Sequence, residues 1–199
     1  MELIQQVPGN SAYLAADEAI DHGHPLVRKT AAQLRSATDD ACAYAVAAFD
    51  FVRDTITHSA DSGDLRVPWR ASDVLASRNG ICHAKSHALA ALLRAEGIPT
   101  ALCYQRLADD DGDAGPVHGL IALRLPGRNR WDRQDPRGNR PGVDTRFSLD
   151  GERLAWPVRP EFDEVDYPVL YTAPHPLVLH GLQTAADRVR LWRTLPVAL

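Results

Sequence analysis

Residues 78–87 read Arg78-Asn79-Gly80-Ile81-Cys82-His83-Ala84-Lys85-Ser86-His87, and an apolar run follows them to Ala95. The run is rich in alanine and leucine, which favour a helix, and Gly97 with Pro99 would end it. Cys82 would then lie in the first helical turn, where backbone N–H groups lack partners within the helix and the helix dipole is positive. That setting lowers the pKa of a thiol and favours the nucleophilic thiolate. The stretch therefore predicts a buried helix that presents a reactive Cys82.

The composition predicts one soluble domain and argues against several kinds of partner. The chain has 199 residues, 45% hydrophobic and 24% charged, which is enough to bury a core. Its net charge of -4 does not favour nucleic acid as a partner. No stretch reaches the roughly 18 apolar residues that a membrane span needs, and the first residues do not resemble a signal peptide. Three cysteines without close pairs indicate free thiols, so we expect a cytoplasmic protein.

Hydrophobic periodicity predicts an α+β fold within a single domain over residues 1–199. We expect a core over about 41–150, N-terminal helices over 11–37 and a C-terminal extension over 151–199. The predicted helices cover residues 12–20, 26–34, 41–56, 82–95 and 177–195, and the predicted strands cover 100–107, 117–125 and 130–135.

A cysteine nucleophile needs a base and a group that orients that base. His118 is the best base by local context, since it lies near the start of the most regular strand pattern. Pro126-Gly127-Arg128-Asn129 predicts a hairpin turn, so the next strand would run back past His118. Both Asp135 and Asp132 lie on that returning strand. Asp135 would lie opposite the N-terminal half of the first strand, and Asp132 would pair further along it.

An arginine cluster follows the first strand of this hairpin. Its members are Arg124, Arg128, Arg130, Arg133, Arg137 and Arg140. An acidic run, Asp109-Asp110-Asp111 with Asp113, precedes the hairpin and predicts a turn outside the core. The cluster is interpreted as a solvated basic rim, with selection of an anionic substrate group as the alternative.

Several of these residues together resemble the transglutaminase-like superfamily. The resemblance rests on Gly80-Ile81-Cys82, on Leu92-Leu93-Arg94-Ala95-Glu96-Gly97-Ile98-Pro99, on Val117-His118, and on Trp131 with Asp135-Pro136. The pattern covers about residues 72–137. The wider sequence is similar to small bacterial transglutaminase-like proteins of the cysteine protease type.

The resemblance implies a papain-like core, in which a nucleophile helix packs on an antiparallel sheet that carries the base and the acid. It assigns the nucleophile to Cys82, the base to His118 and the orienting carboxylate to Asp135, whose Asp-Pro context selects it over Asp132. The implied activity is cysteine-dependent acyl transfer on peptide or isopeptide amides, with hydrolysis expected and transfer to an amine as the alternative. No cofactor or metal is expected, the expected partner is a peptide, protein or small amide substrate, and no oligomeric state is predicted.

Two positions depart from the family pattern, in which aromatic residues often follow the nucleophile and the histidine. Here His83 and Gly119 stand there, and the small Gly119 predicts a more open site. The Cys82 N–H is the expected oxyanion donor, and Trp69 is a weak candidate for the second donor.

Two alternatives remain open at this point. Cys82, His83, His87 and His118 could form a zinc site, because His83 and His87 have a spacing that lets two imidazoles share a metal. Otherwise His83 and His87 are expected on the helix surface near the cleft. The chain could also be a non-catalytic binding module with the same fold.

Overall fold

The computed structural model of this chain describes residues 1–108, 112 and 114–199. The turn predicted for the acidic run Asp109–Asp111 and Asp113 lies outside the described residues. The helices are α1 Pro25–Arg35, α2 Ala41–Thr55, α3 Ser59–Ser62, α4 Ala71–Ser77, α5 Cys82–Ala95, α6 Pro176–Thr184 and α7 Arg188–Thr194. The strands are β1 Ile4–Gln5, β2 Thr57–His58, β3 Asn79–Gly80, β4 Thr100–Arg106, β5 His118–Leu123, β6 Asp132–Gln134, β7 Val165–Asp166 and β8 Val169–Leu170. The predicted α+β class is confirmed.

Helix α5 is the centre of the core. Every residue from Cys82 to Arg94 is buried, as expected for a helix that is apolar around much of its circumference. Leu89, Leu92 and Leu93 are fully buried, and each such side chain stabilises the fold by about 1.5–3 kcal/mol. The hydroxyl of Tyr44 donates a hydrogen bond to the Leu92 carbonyl at 2.7 Å, which joins α2 to α5. The helix is therefore fixed along its whole length.

The main sheet is antiparallel, with the strand order β6-β5-β4-β7. All six residues of β5 are buried, because α5 covers one face and a smaller apolar cluster around Tyr13 covers the other. In the pairing of β5 with β6, Leu123 lies opposite Asp132 and Ile121 lies opposite Gln134. Asp132 thus pairs further along the strand than His118, as predicted.

Both ends of the described chain pack against this core. β1 pairs with β8 in parallel, with Ile4 opposite Val169, and the Val117 N–H donates to the Pro196 carbonyl at 2.8 Å. None of the described helices is long and apolar enough to cross a membrane.

Two predicted helices are wrong in extent, and in each case an aspartate side chain binds backbone N–H groups locally. The helix predicted over 12–20 is reduced to a 3₁₀ turn at Ser11–Leu14, since the Asp17 carboxylate accepts the N–H groups of Ala19 and Ile20, each at 2.7 Å. The closing helix predicted over 177–195 is two helices, because Asp187 caps a new helix by accepting the Arg190 N–H at 2.8 Å.

Candidate active site

Cys82 is the first residue of α5, and the chain just before it packs closely against the first turn of the helix. β3 pairs with β2 in parallel, with Gly80 opposite His58, and the chain enters the helix directly afterwards. A Cβ on Gly80 would lie 2.9 Å from the Ala84 Cβ, so this position needs glycine. The Cys82 side chain is 7% exposed and borders a cavity. The predicted nucleophile thus lies at a helix N-terminus, buried but facing open space.

The other two predicted site residues, His118 and Asp135, lie within hydrogen-bonding distance of each other. The His118 Nε2 lies 2.8 Å from Asp135 Oδ2, which leaves Nδ1 as the second nitrogen of the ring, and His118 borders the same cavity as Cys82. The Cys82 Sγ itself lies 3.4 Å from His83 Nδ1. Asp135 is fully buried and accepts two further hydrogen bonds, from the N–H groups of Arg137 and Ala155, each at 3.0 Å. Three donors therefore hold the carboxylate in one orientation. The structure thus brings Cys82, His118 and Asp135 together.

The charges in this cluster favour a thiolate next to an imidazolium. Burial alone would raise the pKa of the Cys82 thiol, but the charges of His83 and His118 and hydrogen bonds from His118 and His58 hold it well below its usual range. Burial alone would lower the pKa of His118, but the Asp135 carboxylate and the thiolate raise it. Both shifts act in the direction that ionises the sulfur and keeps the proton on the imidazole.

Sequence reasoning missed Trp156, which covers the histidine. Its ring meets the His118 ring edge-on, with the ring centroids 5.2 Å apart, and the Arg137 guanidinium lies over its other side at 5.4 Å. Trp156 and Ala155 both come from the predicted C-terminal extension. No motif marked these residues, because their contacts join parts of the chain that are distant in sequence.

His58 was also missed, and it lies close to the sulfur. It is 6% exposed, borders the same cavity as Cys82 and contributes to the lowered pKa of that thiol. Trp69, the predicted second oxyanion candidate, is not among the described residues that border the cavity, and its carbonyl instead lies 2.8 Å from His87 Nδ1. The prediction for Trp69 is therefore wrong.

His83 and His87 are buried, not exposed on the helix surface as predicted. The His83 ring occupies the space above Gly119, where an added Cβ would lie 2.7 Å from His83 Cδ2. Gly119 therefore makes room for His83, and the prediction of a more open site is wrong. The described residues contain no group of three or more histidines, cysteines or acids arranged to hold a metal ion.

A cavity of about 650 Å³ opens over the sulfur. Its wall includes the apolar side chains of Trp156, Trp192 and Leu195. Of the predicted arginine cluster, Arg137 and Arg140 border the cavity. Arg137 donates two hydrogen bonds to the Asp61 carboxylate, at 2.6 and 2.9 Å. The wall thus combines apolar surface with at least one neutralised cation.

The other arginines of the cluster serve the fold. Arg128 and Arg130 contact the Asp132 carboxylate at 3.0 and 2.8 Å, respectively. Arg133 is nearly buried and binds both Glu152 and Asp166. Asp132 is therefore paired with two arginines at the first residue of β6, away from His118.

A buried cysteine at the start of a helix, packed on an antiparallel sheet that carries a histidine–aspartate pair, is a papain-like arrangement. The sequence profile of the transglutaminase-like superfamily matches residues 28–136, more than half of the chain. This chain belongs to the transglutaminase-like superfamily.

Comparison with solved structures found a protein whose fold is similar over much of this chain. The structure named "Putative Cysteine Protease from Cytophaga hutchinsonii" matches with a TM-score of 0.54 and 18% identity, over 66% of this chain and 43% of that one. This chain thus spans less than half the length of that protein. A structure named as a TGase matches with a TM-score of 0.45 and 16% identity, over 63% of this chain and 34% of that one. No curated protein sequence matches the chain significantly.

Proposed function

We propose that this protein is a cysteine-dependent acyl-transfer enzyme that hydrolyses amide bonds of peptides or proteins. The observation that carries the proposal is the hydrogen-bonded His118–Asp135 pair, 2.8 Å apart, on the same cavity as Cys82 at the start of α5. Membership of the transglutaminase-like superfamily supports the same reaction class.

Each group has a defined part in the proposed reaction. The Cys82 thiolate attacks the amide carbonyl carbon, a C–S bond forms, and the π electrons move to the oxygen. The tetrahedral intermediate then expels the amine, which takes a proton from the His118 imidazolium, and a thioester remains on Cys82. Water attacks the thioester while His118 accepts its proton, and the carboxylic acid leaves with the free thiolate restored. Asp135 fixes the ring orientation and stabilises its positive charge.

Water is the proposed second substrate, and an amine acceptor is the alternative. Hydrolysis requires only that water reach the thioester, and the Cys82 sulfur borders a cavity of about 650 Å³. A cavity of this size suits a few residues of a peptide substrate. The three free cysteines fit a reducing compartment, so we propose the cytoplasm as the site of action.

A non-catalytic binding module would not need a buried histidine–aspartate pair beside an activated thiol. Enclosing a carboxylate and an imidazole away from water is costly unless both are paired. Here Asp135 accepts three hydrogen bonds, and the negative charge of the Cys82 thiolate also stabilises the charged form of His118. This arrangement favours an enzyme over a module that only binds.

The proposal is tested with p-nitrophenyl acetate, a small activated ester, as the acyl donor. We expect wild-type protein to gain one acetyl group on Cys82 by intact-protein mass spectrometry, and then to lose it to water as acetate. Cys82→Ser should abolish this acetylation. Cys103→Ser, a matched change at a second buried thiol, should leave it intact. Acetylation that persists in Cys82→Ser would refute the proposal.

The second half-reaction is tested by adding methylamine to the acetylated protein. Release of acetate with little N-methylacetamide supports hydrolysis. Predominant formation of N-methylacetamide would show transfer to an amine instead.

A further inference from the structure

His58 is held against the nucleophile by backbone pairing. β2 and β3 run parallel, and the register places His58 opposite Gly80, two positions before Cys82. The residue is 6% exposed and borders the same cavity as the sulfur. Its position is thus fixed by main-chain geometry and does not depend on a flexible loop.

The hydrogen bonds of His58 define which ring nitrogen carries the proton. The Ala60 N–H donates to His58 Nδ1 at 3.3 Å, so Nδ1 is an acceptor and its lone pair is occupied. A neutral imidazole with an acceptor Nδ1 carries its hydrogen on Nε2. The Nε2–H group is therefore the donor that His58 can offer to a molecule in the cavity that it shares with Cys82.

The surroundings also keep this ring neutral. Burial lowers the pKa of His58, although the nearby thiolate opposes that shift. The charge of Asp61 acts to raise this pKa, but Arg137 neutralises that carboxylate through two hydrogen bonds. His58 thus differs from His118, whose carboxylate partner keeps it charged. A neutral N–H donor beside the nucleophile can bind developing negative charge without giving up its proton.

We propose that the Nε2–H of His58 and the backbone N–H of Cys82 together bind the oxyanion that forms when Cys82 attacks a carbonyl group. The proposal rests on the proposed acyl-transfer function and supplies its second oxyanion donor. The Cys82 N–H is available because the first N–H groups of a helix have no partner within it. Donors fixed in advance stabilise the charge that develops on the carbonyl oxygen in the transition state.

Substitutions at His58 separate an oxyanion donor from a base. His58→Gln keeps an N–H donor but cannot accept and carry a proton as a base does. His58→Leu removes both properties. His180→Leu, at an exposed histidine, controls for the loss of a histidine elsewhere. Each variant is compared with wild type in two reactions of Cys82.

The first reaction is acetylation by p-nitrophenyl acetate, which forms an oxyanion and whose leaving group needs no proton. The second is alkylation by iodoacetamide, which uses the same thiolate and forms no oxyanion. Both are followed across pH, and rates are compared on the plateau where the thiol is fully ionised. The ratio of the two rates therefore isolates stabilisation of the oxyanion from activation of the sulfur.

We expect His58→Leu to lower the acetylation-to-alkylation ratio by about 10²–10³-fold, which is typical for loss of one oxyanion donor. His58→Gln should recover at least a tenth of the wild-type ratio, and His180→Leu should match wild type. The proposal is overturned if His58→Leu keeps the wild-type ratio, or if His58→Gln is as impaired as His58→Leu. The proposed acyl-transfer function would be refuted by a different result, namely that Cys82 of the wild-type protein is not acetylated.

Discussion

Cys82 and Cys103 are both buried, yet their thiols are shifted in opposite directions. Cys103 lies in the middle of β4 opposite Leu120, in an apolar cluster with Tyr13, and burial raises its pKa to about 12. Cys82 is also buried, but the imidazoles of His83, His118 and His58 bring its pKa well below the usual range. Burial alone therefore does not decide whether a thiol is reactive; the charges and dipoles that replace water decide it.

The largest expected effect is the difference in alkylation between these two thiols. A pKa of about 12 leaves roughly one Cys103 thiol in 10⁵ ionised at pH 7, whereas the pKa of Cys82 is held well below its usual range. We expect iodoacetamide to label Cys82 at least about 10³-fold faster than Cys103 at pH 7, as measured by peptide mass spectrometry. The Cys82 rate should reach its plateau at a lower pH than the rate of an ordinary thiol does. Equal labelling of both thiols would contradict the comparison.

The second effect comes from removing the carboxylate behind His118. Asp135 raises the pKa of His118, so the imidazolium persists above neutral pH. In Asp135→Asn that pKa should fall, the thiolate should lose its charged partner, and the acid limb of the acetylation profile should move to higher pH. We expect the acetylation rate at pH 7 to drop by about 10²–10⁴-fold.

Asp132→Asn is the matched control for this change. Asp132 lies on the same strand but contacts Arg128 and Arg130, not His118. Its substitution should leave acetylation within about twofold, since the arginines that bind Asp132 take no part in the proposed reaction. A similar loss in both variants would mean that the effect is structural.

A third buried ionisable group, Lys85, extends the comparison to stability. Its Nζ donates to the carbonyls of Arg53 and Ile56, and burial, with repulsion from Arg137, lowers its pKa to about 7. The unfolded chain therefore binds more protons at this residue between pH 7 and the ordinary lysine pKa of 10.5. The contribution of Lys85 to the free energy of unfolding should rise with pH across that window, by at most about 1.4 kcal/mol per pH unit.

The measurement is urea unfolding of wild type and Lys85→Met at several pH values. Subtracting the two curves cancels the titration of Cys82 and His118, which both proteins share. The difference, wild type minus variant, should rise from pH 7 to about pH 10. A difference that does not change with pH would contradict the lowered pKa.

The smallest expected effect concerns His83, the residue next to Cys82, whose ring packs against Gly119. In Gly119→Ala the new Cβ would lie 2.7 Å from His83 Cδ2 and 3.2 Å from His83 Cα, so the first turn of α5 must shift. We expect a loss of about 1–3 kcal/mol in the free energy of unfolding and slower alkylation of Cys82. Gly23→Ala is the control, because nothing lies within 4 Å of its Cβ position. A neutral Gly119→Ala would mean that His83 moves aside freely.

The sequence predicted the parts of the site that depend on local pattern. The helix Cys82–Ala95 followed from composition, and the hairpin placed Asp135 near His118 and Asp132 further along. The same reasoning missed His58 and Trp156, because each reaches the site through pairing or packing with distant parts of the chain. It also extended the first helix past Asp17, since a side chain that binds nearby N–H groups leaves no trace in hydrophobic periodicity.

The contribution of residues 155–197 to the site has a consequence for its biosynthesis. The Ala155 N–H fixes Asp135, Trp156 covers His118, and Leu195 walls the cavity. All of these emerge from the ribosome after Cys82, His118 and Asp135. The orientation of Asp135, the cover over His118 and the wall of the cavity are therefore completed by the part of the chain that is synthesised last.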